Sequence, residues 1–221
     1  MEKVCLELGC QVAEPTVEFP TAFLGAGSNG RVLRVSKERN NYALKVALDG
    51  EKSVLLHKEY AMLKEHEKNC TDDCTLVVRT VGSCVSLNSG FTGCLLSPVG
   101  AGITRESMIE GDTIRSVLMA LYQLHVHNPL ICHGDPRLAN LIRKTDDTLM
   151  WIDFSHCRIY KNAVDAALIR ADAQILVCSI LNLSGVDDLK SRSHVLTALS
   201  AITFPVNRMQ YEGIAESIIG V

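Results

Sequence analysis

The sequence predicts an α+β fold in two lobes. A small antiparallel β-sheet lobe with one main helix spans about residues 1–98, and an abbreviated, mainly helical lobe spans about 101–221; together they form a single domain. Three observations predict this. Polar and apolar residues alternate with the period of a half-buried strand in Arg31-Val32-Leu33-Arg34-Val35, and a second strand-like run, Tyr42–Ala47, follows the turn-forming pair Asn40-Asn41. A Pro/Gly break at Pro98-Val99-Gly100 ends the β-rich part. Beyond it, Asp112–His125 reads as a strongly amphipathic helix, and Ala163–Leu181 is apolar enough to be a core helix.

The first element carrying chemistry is Leu24-Gly25-Ala26-Gly27-Ser28-Asn29-Gly30-Arg31-Val32, which fits G-x-G-x-x-G-x-V. In a dinucleotide-binding unit such glycines end a strand and open a helix, with an acidic residue about 20 positions on. Here the residues after Gly30 continue as a strand. Strand, glycine loop, strand, turn, strand is a flap suited to covering phosphates, and it leads into Ala43-Leu44-Lys45. A lysine on an interior strand needs a counter-charge, because an unpaired buried ammonium is costly. The predicted helix Ser53–His66, with Ser53 as its cap, offers Glu59 as the best-placed partner. Glu65 is the reserve, and a solvated helix face suits it better.

Thr75–Val81 is β-rich, and Gly93–Gly100 reads as a strand running into the linker. The helix Asp112–His125, capped by Asp112 or Thr113, would form the floor of the second lobe. Ser184-Gly185 ends the helix that begins near Ala163. Two shorter helical stretches follow, Leu189–Ile202 and Met209–Ile219, separated by Pro205.

Composition limits the functional classes. Hydrophobic residues make up 47% and charged residues 21%, ordinary for a globular protein. A net charge of −3 gives no electrostatic case for binding nucleic acid or a membrane surface. No apolar run reaches membrane-spanning length, and Met1–Glu7 lacks the form of a secretory signal, so an intracellular location is expected. The nine cysteines include Cys70, Cys74, Cys84 and Cys94, but no C-x-x-C pair. Reduced thiols packed as small core residues fit them better than zinc. Cys132 and Cys157 are expected to be buried as well, ahead of any redox role.

The densest motif is His133-Gly134-Asp135-Pro136-Arg137-Leu138-Ala139-Asn140, followed by Trp151-Ile152-Asp153-Phe154-Ser155. It supplies a base for an acceptor hydroxyl, a cation for a travelling phosphoryl group and two oxygen ligands for Mg²⁺. Phosphoryl transfer is catalysed mainly by such positioned charge.

These motifs, in this order, resemble the protein-kinase-like superfamily from Gly25 to about Leu181. The H-G-D-P-R-L-A-N-L-I and W-I-D-F stretches are most similar to the kinase domain of Crinkler-type atypical eukaryotic kinases. H-G-D also occurs in aminoglycoside and choline phosphotransferases and in the small atypical kinases of the tRNA threonylcarbamoylation machinery. The resemblance implies a two-lobed protein-kinase-like fold using ATP and Mg²⁺. Gly25, Gly27, Ser28 and Gly30 would cover the phosphates, with Val32 and Ala43 completing the nucleotide site. Lys45, oriented by Glu59, would bind the phosphates, and backbone groups at Ser97 to Val99 the adenine. Asp135 would orient the acceptor hydroxyl, Arg137 would stand in for the catalytic-loop lysine, and Asn140 and Asp153 would hold Mg²⁺. Asp172 would accept hydrogen bonds from the catalytic-loop backbone.

Departures from the protein-kinase pattern shape the expected substrate. Gly134 stands where H-R-D has arginine, which argues against loop ordering by phosphorylation. Ser155 replaces the glycine of D-F-G, and no A-P-E follows. The expected activity is transfer to protein Ser/Thr, including the protein's own. The alternatives are a small-molecule hydroxyl acceptor and a non-catalytic nucleotide-binding scaffold. Intact Lys45, Asp135, Asn140 and Asp153 argue against the scaffold. The lack of an acidic insertion before Asp172 argues against a cationic aminoglycoside.

Overall fold

A computed structural model describes residues 2–27, 30–70, 76–104, 106, 111–127, 129–160 and 165–220. The chain is α+β, with antiparallel sheets and several helices. It divides into two compact units, one comprising residues 1–69 and 78–100, the other 70–77 and 101–221.

The first unit opens with α1 (Glu2–Leu8) and β1 (Gln11–Val12), neither of which the sequence pattern announces. β2 (Phe23–Gly27), β3 (Gly30–Lys37) and β4 (Asn40–Ala47) follow, then α2 (Gly50–Asn69), β5 (Arg79–Ser86) and β6 (Thr92–Ser97). The sheet runs β1-β3-β4-β6-β5, with β2 also on β3. Strand alternation gives it two faces. Val35, Leu44, Val46 and Leu95 pack against Val4, Cys5 and Leu8 of α1. On the opposite face, register aligns Val32, Lys45 and Cys94 across three strands, with Ala43 beside Leu96. Leu56, Glu59 and Leu63 of α2 are buried at helical spacing.

Three local expectations need correction here. Asn40-Asn41 is not the turn but the start of β4. The hairpin loop is Glu38-Arg39, both at positive φ (51° and 65°), the handedness that suits strand twist in a two-residue loop. Ser53 is not the cap of α2, which starts earlier. Asp49 Oδ1 accepts from the Lys52 N–H at 2.9 Å, and the Ser53 hydroxyl donates back to Asp49 O and to Gly90 O. The strand expected over Thr75–Val81 begins only at Arg79. Thr75 lies outside the described residues, and Leu76 and Val77 belong to the second unit: Leu76 O accepts from Trp151 N and Val77 bridges Trp151.

The second unit contains β7 (Ala101–Gly102), α3 (Gly111–Val126), β8 (Leu130–Cys132), β9 (Leu141–Arg143), β10 (Leu149–Trp151), β11 (Arg158–Tyr160), α4 (Ala166–Leu181), α5 (Ser193–Ser200) and α6 (Arg208–Ile219). Two small ladders, β10-β9-β7 and β11-β8, lie among the helices. Because α3 includes Gly111, Asp112 and Thr113 sit in its first turn rather than capping it, and Asp112 pairs with Arg115 at 3.0 Å. α4 is capped by Asp165, whose carboxylate accepts from Ala167 N. It ends at Asn182, in the left-handed conformation that closes a helix, two residues before the expected Ser184-Gly185 stop. Ala163 and Val164 lie outside the described residues. The Leu189–Ile202 stretch is a 3₁₀ turn, Val186–Ser191, followed by α5. α6 begins with a capping box in which Asn207 and Gln210 satisfy each other's backbone N–H. No helix among the described residues is long and apolar enough to cross a membrane.

Candidate functional site

In the first unit, β4 and α2 bring Lys45 Nζ to 2.6 Å from Glu59 Oε2, with side-chain exposures of 9% and 1%. This is the anticipated pair. Glu65 is exposed on the far side of α2. Val32 and Ala43 are half-buried on the face that carries Lys45. Ser97 ends β6 opposite Arg79, and it and Val99 remain partly accessible.

The three motif glycines differ in kind. Gly30 has φ 155°, and a Cβ there would lie 2.1 Å from the Val46 carbonyl oxygen, so the close approach of β3 to β4 requires it. A Cβ at Gly25 or Gly27 would meet no atom of the described residues within 4 Å. Ser28 lies outside the described residues.

In the second unit, the chain from β8 to β9 holds Asp135, Arg137 and Asn140, and each is fixed by a nameable contact. Asp172 and Ser179 stand two turns apart on one face of α4. Asp172 accepts from His133 N (2.6 Å) and Gly134 N (3.0 Å), the role expected of it. Ser179 Oγ accepts from Leu138 N at 3.0 Å. The Asn140 side-chain amide donates to Asp135 O at 2.8 Å and to Asp135 Oδ2 at 3.1 Å. Arg137 Nη2 lies 2.6 Å from the same oxygen, an ion pair that pushes the guanidinium pKa further up. The expected phosphoryl-binding cation is therefore clamped on the expected base.

A hairpin absent from the sequence reading brings in Asp153. Leu141–Arg143 pairs with Leu149–Trp151, Trp151 opposite Leu141, and Ile152 N donates to Asn140 O at 2.9 Å. Asn140 and Asp153 thus stand at adjacent ends of one ribbon. Asp153 is left-handed (φ 61°), unusual for a residue other than glycine, and its Oδ1 accepts from Ser155 Oγ at 2.9 Å. The short apolar runs Leu141-Ile142 and Leu149-Met150-Trp151, flanking the turn-forming Asp146-Asp147, were the available signal. Also missed were His125 and Tyr211, described below, and Arg34. The last is buried over the Phe19 ring and donates to the Glu14 carbonyl oxygen.

Cys5, Cys94, Cys132, Cys157 and Cys178 are buried. Hydrogen bonding to Cys84 and burial push the Cys94 thiol up, and burial pushes Cys132 up to about 12, so these are packed thiols. Cys74 lies outside the described residues.

His133 is buried against Trp151 and Phe154, with Nε2 at 3.0 Å from Ile152 O. Burial pulls its pKa below the ordinary 6.5, while Asp172, the Ile152 carbonyl, Asp153 and Asp135 oppose the shift. The unfolded chain therefore binds this proton more readily than the folded one. The His133 contribution to stability is complete above about pH 6.5 and is lost as pH falls through the depressed folded value. We expect the melting temperature to fall with acidification in this window and the slope to shrink in His133→Phe. Parallel pH–melting curves for the two proteins would exclude His133 as the source.

A scan against protein-family models gives no match, and neither does a search of the curated proteins.

Proposed function

We propose that the protein is an ATP- and Mg²⁺-dependent phosphotransferase of protein-kinase-like, two-lobed architecture that transfers phosphoryl groups to hydroxyls, with protein Ser/Thr as the acceptor class. The buried Lys45–Glu59 pair supports this most directly. Ion pairs taken out of water seldom repay their desolvation, so one held on a small sheet argues for a use beyond stability. In this reading Lys45 binds nucleotide phosphates with its ammonium aimed by Glu59. The open space around Gly25 and Gly27 leaves room for those phosphates to approach the backbone.

The residues of the second unit suit the acceptor and the metal. Asp135 would orient the acceptor hydroxyl and hold its proton, with Arg137 and Asn140 fixing the carboxylate. The Asn140 amide nitrogen is committed to Asp135, and its side-chain oxygen would serve as a ligand atom together with the carboxylate of Asp153, which follows the other arm of the same ribbon. Two oxygen donors of this kind fit Mg²⁺, which prefers oxygen and is commonly held by few protein groups. When bound, the ion would neutralise charge on the phosphates.

A small-molecule acceptor is the second reading. Little chain separates Asp153 from α4 at Ala166, and no A-P-E segment lies there to dock a peptide.

Incubation with γ-labelled ATP and Mg²⁺, alone and with a generic protein acceptor, tests both readings. We expect label on Ser or Thr with the wild type and a loss of about 10³-fold or more with Asp153→Ala, which removes a ligand from the centre of charge neutralisation. Turnover unchanged in Asp153→Ala would refute the metal assignment. Nucleotide-dependent thermal stabilisation without protein label would favour the small-molecule acceptor or the scaffold.

A further inference from the structure

Behind Asp172 lies a second layer of polar groups to which no role has yet been given. His125 of α3 has no exposed surface, and Tyr211 of α6 has none either. The Tyr211 hydroxyl is in very short contact with His125 Nδ1, and His125 Nε2 lies 3.1 Å from Asp172 Oδ2. The ring of Tyr211 packs against His125 and Tyr122, with centroids 5.9 and 5.5 Å away.

The direction of these bonds follows from the chemistry. Burial, then the charge of Asp172, pushes the Tyr211 phenol up, so it keeps its proton and donates to Nδ1. That fixes the tautomer with hydrogen on Nε2, which donates to Asp172. Asp172 then receives three N–H groups: His125 Nε2 and His133 N on Oδ2, and Gly134 N on Oδ1. With both oxygens occupied, rotation of the carboxylate would break a bond to one side or the other.

His125, Cys132 and Asp172 are also close enough to share a metal ion. A ligating cysteine must be a thiolate, however, and burial holds the Cys132 thiol at about 12. The oxygens of Asp172 are already engaged, so the hydrogen-bonded chain accounts for the cluster better.

We propose that His125 and Tyr211 are positioning residues for the 133–140 segment: through Asp172 they fix the backbone that presents Asp135 and Asn140, and so tie that segment to α6. The catalytic consequence rests on the phosphotransferase reading; the positioning itself does not.

The test uses the full chain as wild type, Tyr211→Phe, His125→Leu and His125→Gln, the last keeping an N–H near Nε2. Amide hydrogen exchange over the peptide containing His133 and Gly134 is read alongside melting temperature and the kcat and KM for ATP. We expect His125→Leu to speed exchange of those amides about tenfold or more, the effect of losing a charge-assisted hydrogen bond. It should lower kcat by a similar factor while KM for ATP stays within about twofold, the split that marks lost positioning rather than lost binding. His125→Gln should recover part of both, and Tyr211→Phe should fall between it and wild type.

Unchanged exchange at His133 and Gly134 in a folded variant would overturn the proposal. So would a rise spread evenly over α3 and α4 with no recovery in His125→Gln, which would mark simple packing. If His125→Leu does not fold, Tyr211→Phe, which removes only the hydroxyl, decides in the same way. A wild type without ATP turnover would defeat the phosphotransferase reading alone, because exchange still reports on positioning.

Discussion

Gly134→Ala is expected to destabilise the second unit by about 3 kcal/mol or more, the range of strained and overpacked sites. Gly134 has φ 81°, and a Cβ there would lie 2.4 Å from the carbonyl oxygen of His156 and 2.9 Å from its carbonyl carbon. Both are backbone atoms of the turn that follows Asp153, so relief would have to disturb that turn or the pairing of Cys132 with Arg158. Denaturant unfolding is the measurement. Gly185→Ala is the control, because its φ is extended and a Cβ there meets nothing within 4 Å. A Gly134→Ala loss within about 0.5 kcal/mol, the ordinary range for surface changes, would contradict the geometry. The same contact explains why an arginine, as in H-R-D, is not accommodated here. Glycine at this position answers to a neighbouring carbonyl, whatever its bearing on regulation.

Lys45→Met is expected to cost about 3 kcal/mol of stability near neutral pH and, on the proposed phosphotransferase reading, about 10²-fold or more in phosphoryl transfer. The variant leaves Glu59 nearly sealed from water without its ammonium. Adding Glu59→Gln removes the buried carboxylate charge and should restore most of the stability but none of the transfer. Denaturant unfolding and labelled-ATP assays read the two effects separately. A Lys45→Met protein with wild-type transfer would contradict the role given to the lysine, and one with wild-type stability would contradict the burial.

The elements most legible in the sequence were those whose chemistry repeats along the chain. Alternation in Arg31–Val35 announced β3 and amphipathic spacing announced α3, because periodic burial writes a periodic pattern, while α4 was legible from its apolar length. Turn and cap positions slipped by a few residues. Asn40-Asn41 has stronger turn propensity than Glu38-Arg39, yet the register of β3 on β4 overrides it. Lys45 and Glu59 could be paired because burying a lysine demands an acid, and the next helix offered few. The link between Asp172 and the 133–134 backbone came from resemblance alone. What stayed hidden were partnerships made only by tertiary packing: β8 with β11, and His125 with Tyr211, 86 positions apart in the chain.

The β9–β10 ribbon works as a caliper. The distance between Asn140 and Asp153 is set at its base, where Leu141 faces Trp151 and Ile152 reaches back to Asn140. The bend beyond Arg143, held by the Asp146 carboxylate on Thr148 and by Lys144 on Thr148 O, contributes nothing to that gap. The arms can therefore lengthen in matched pairs, or the bend can grow, without moving Asn140 and Asp153 relative to each other. A single unpaired residue in either arm would turn every following side chain to the other face and open the jaws.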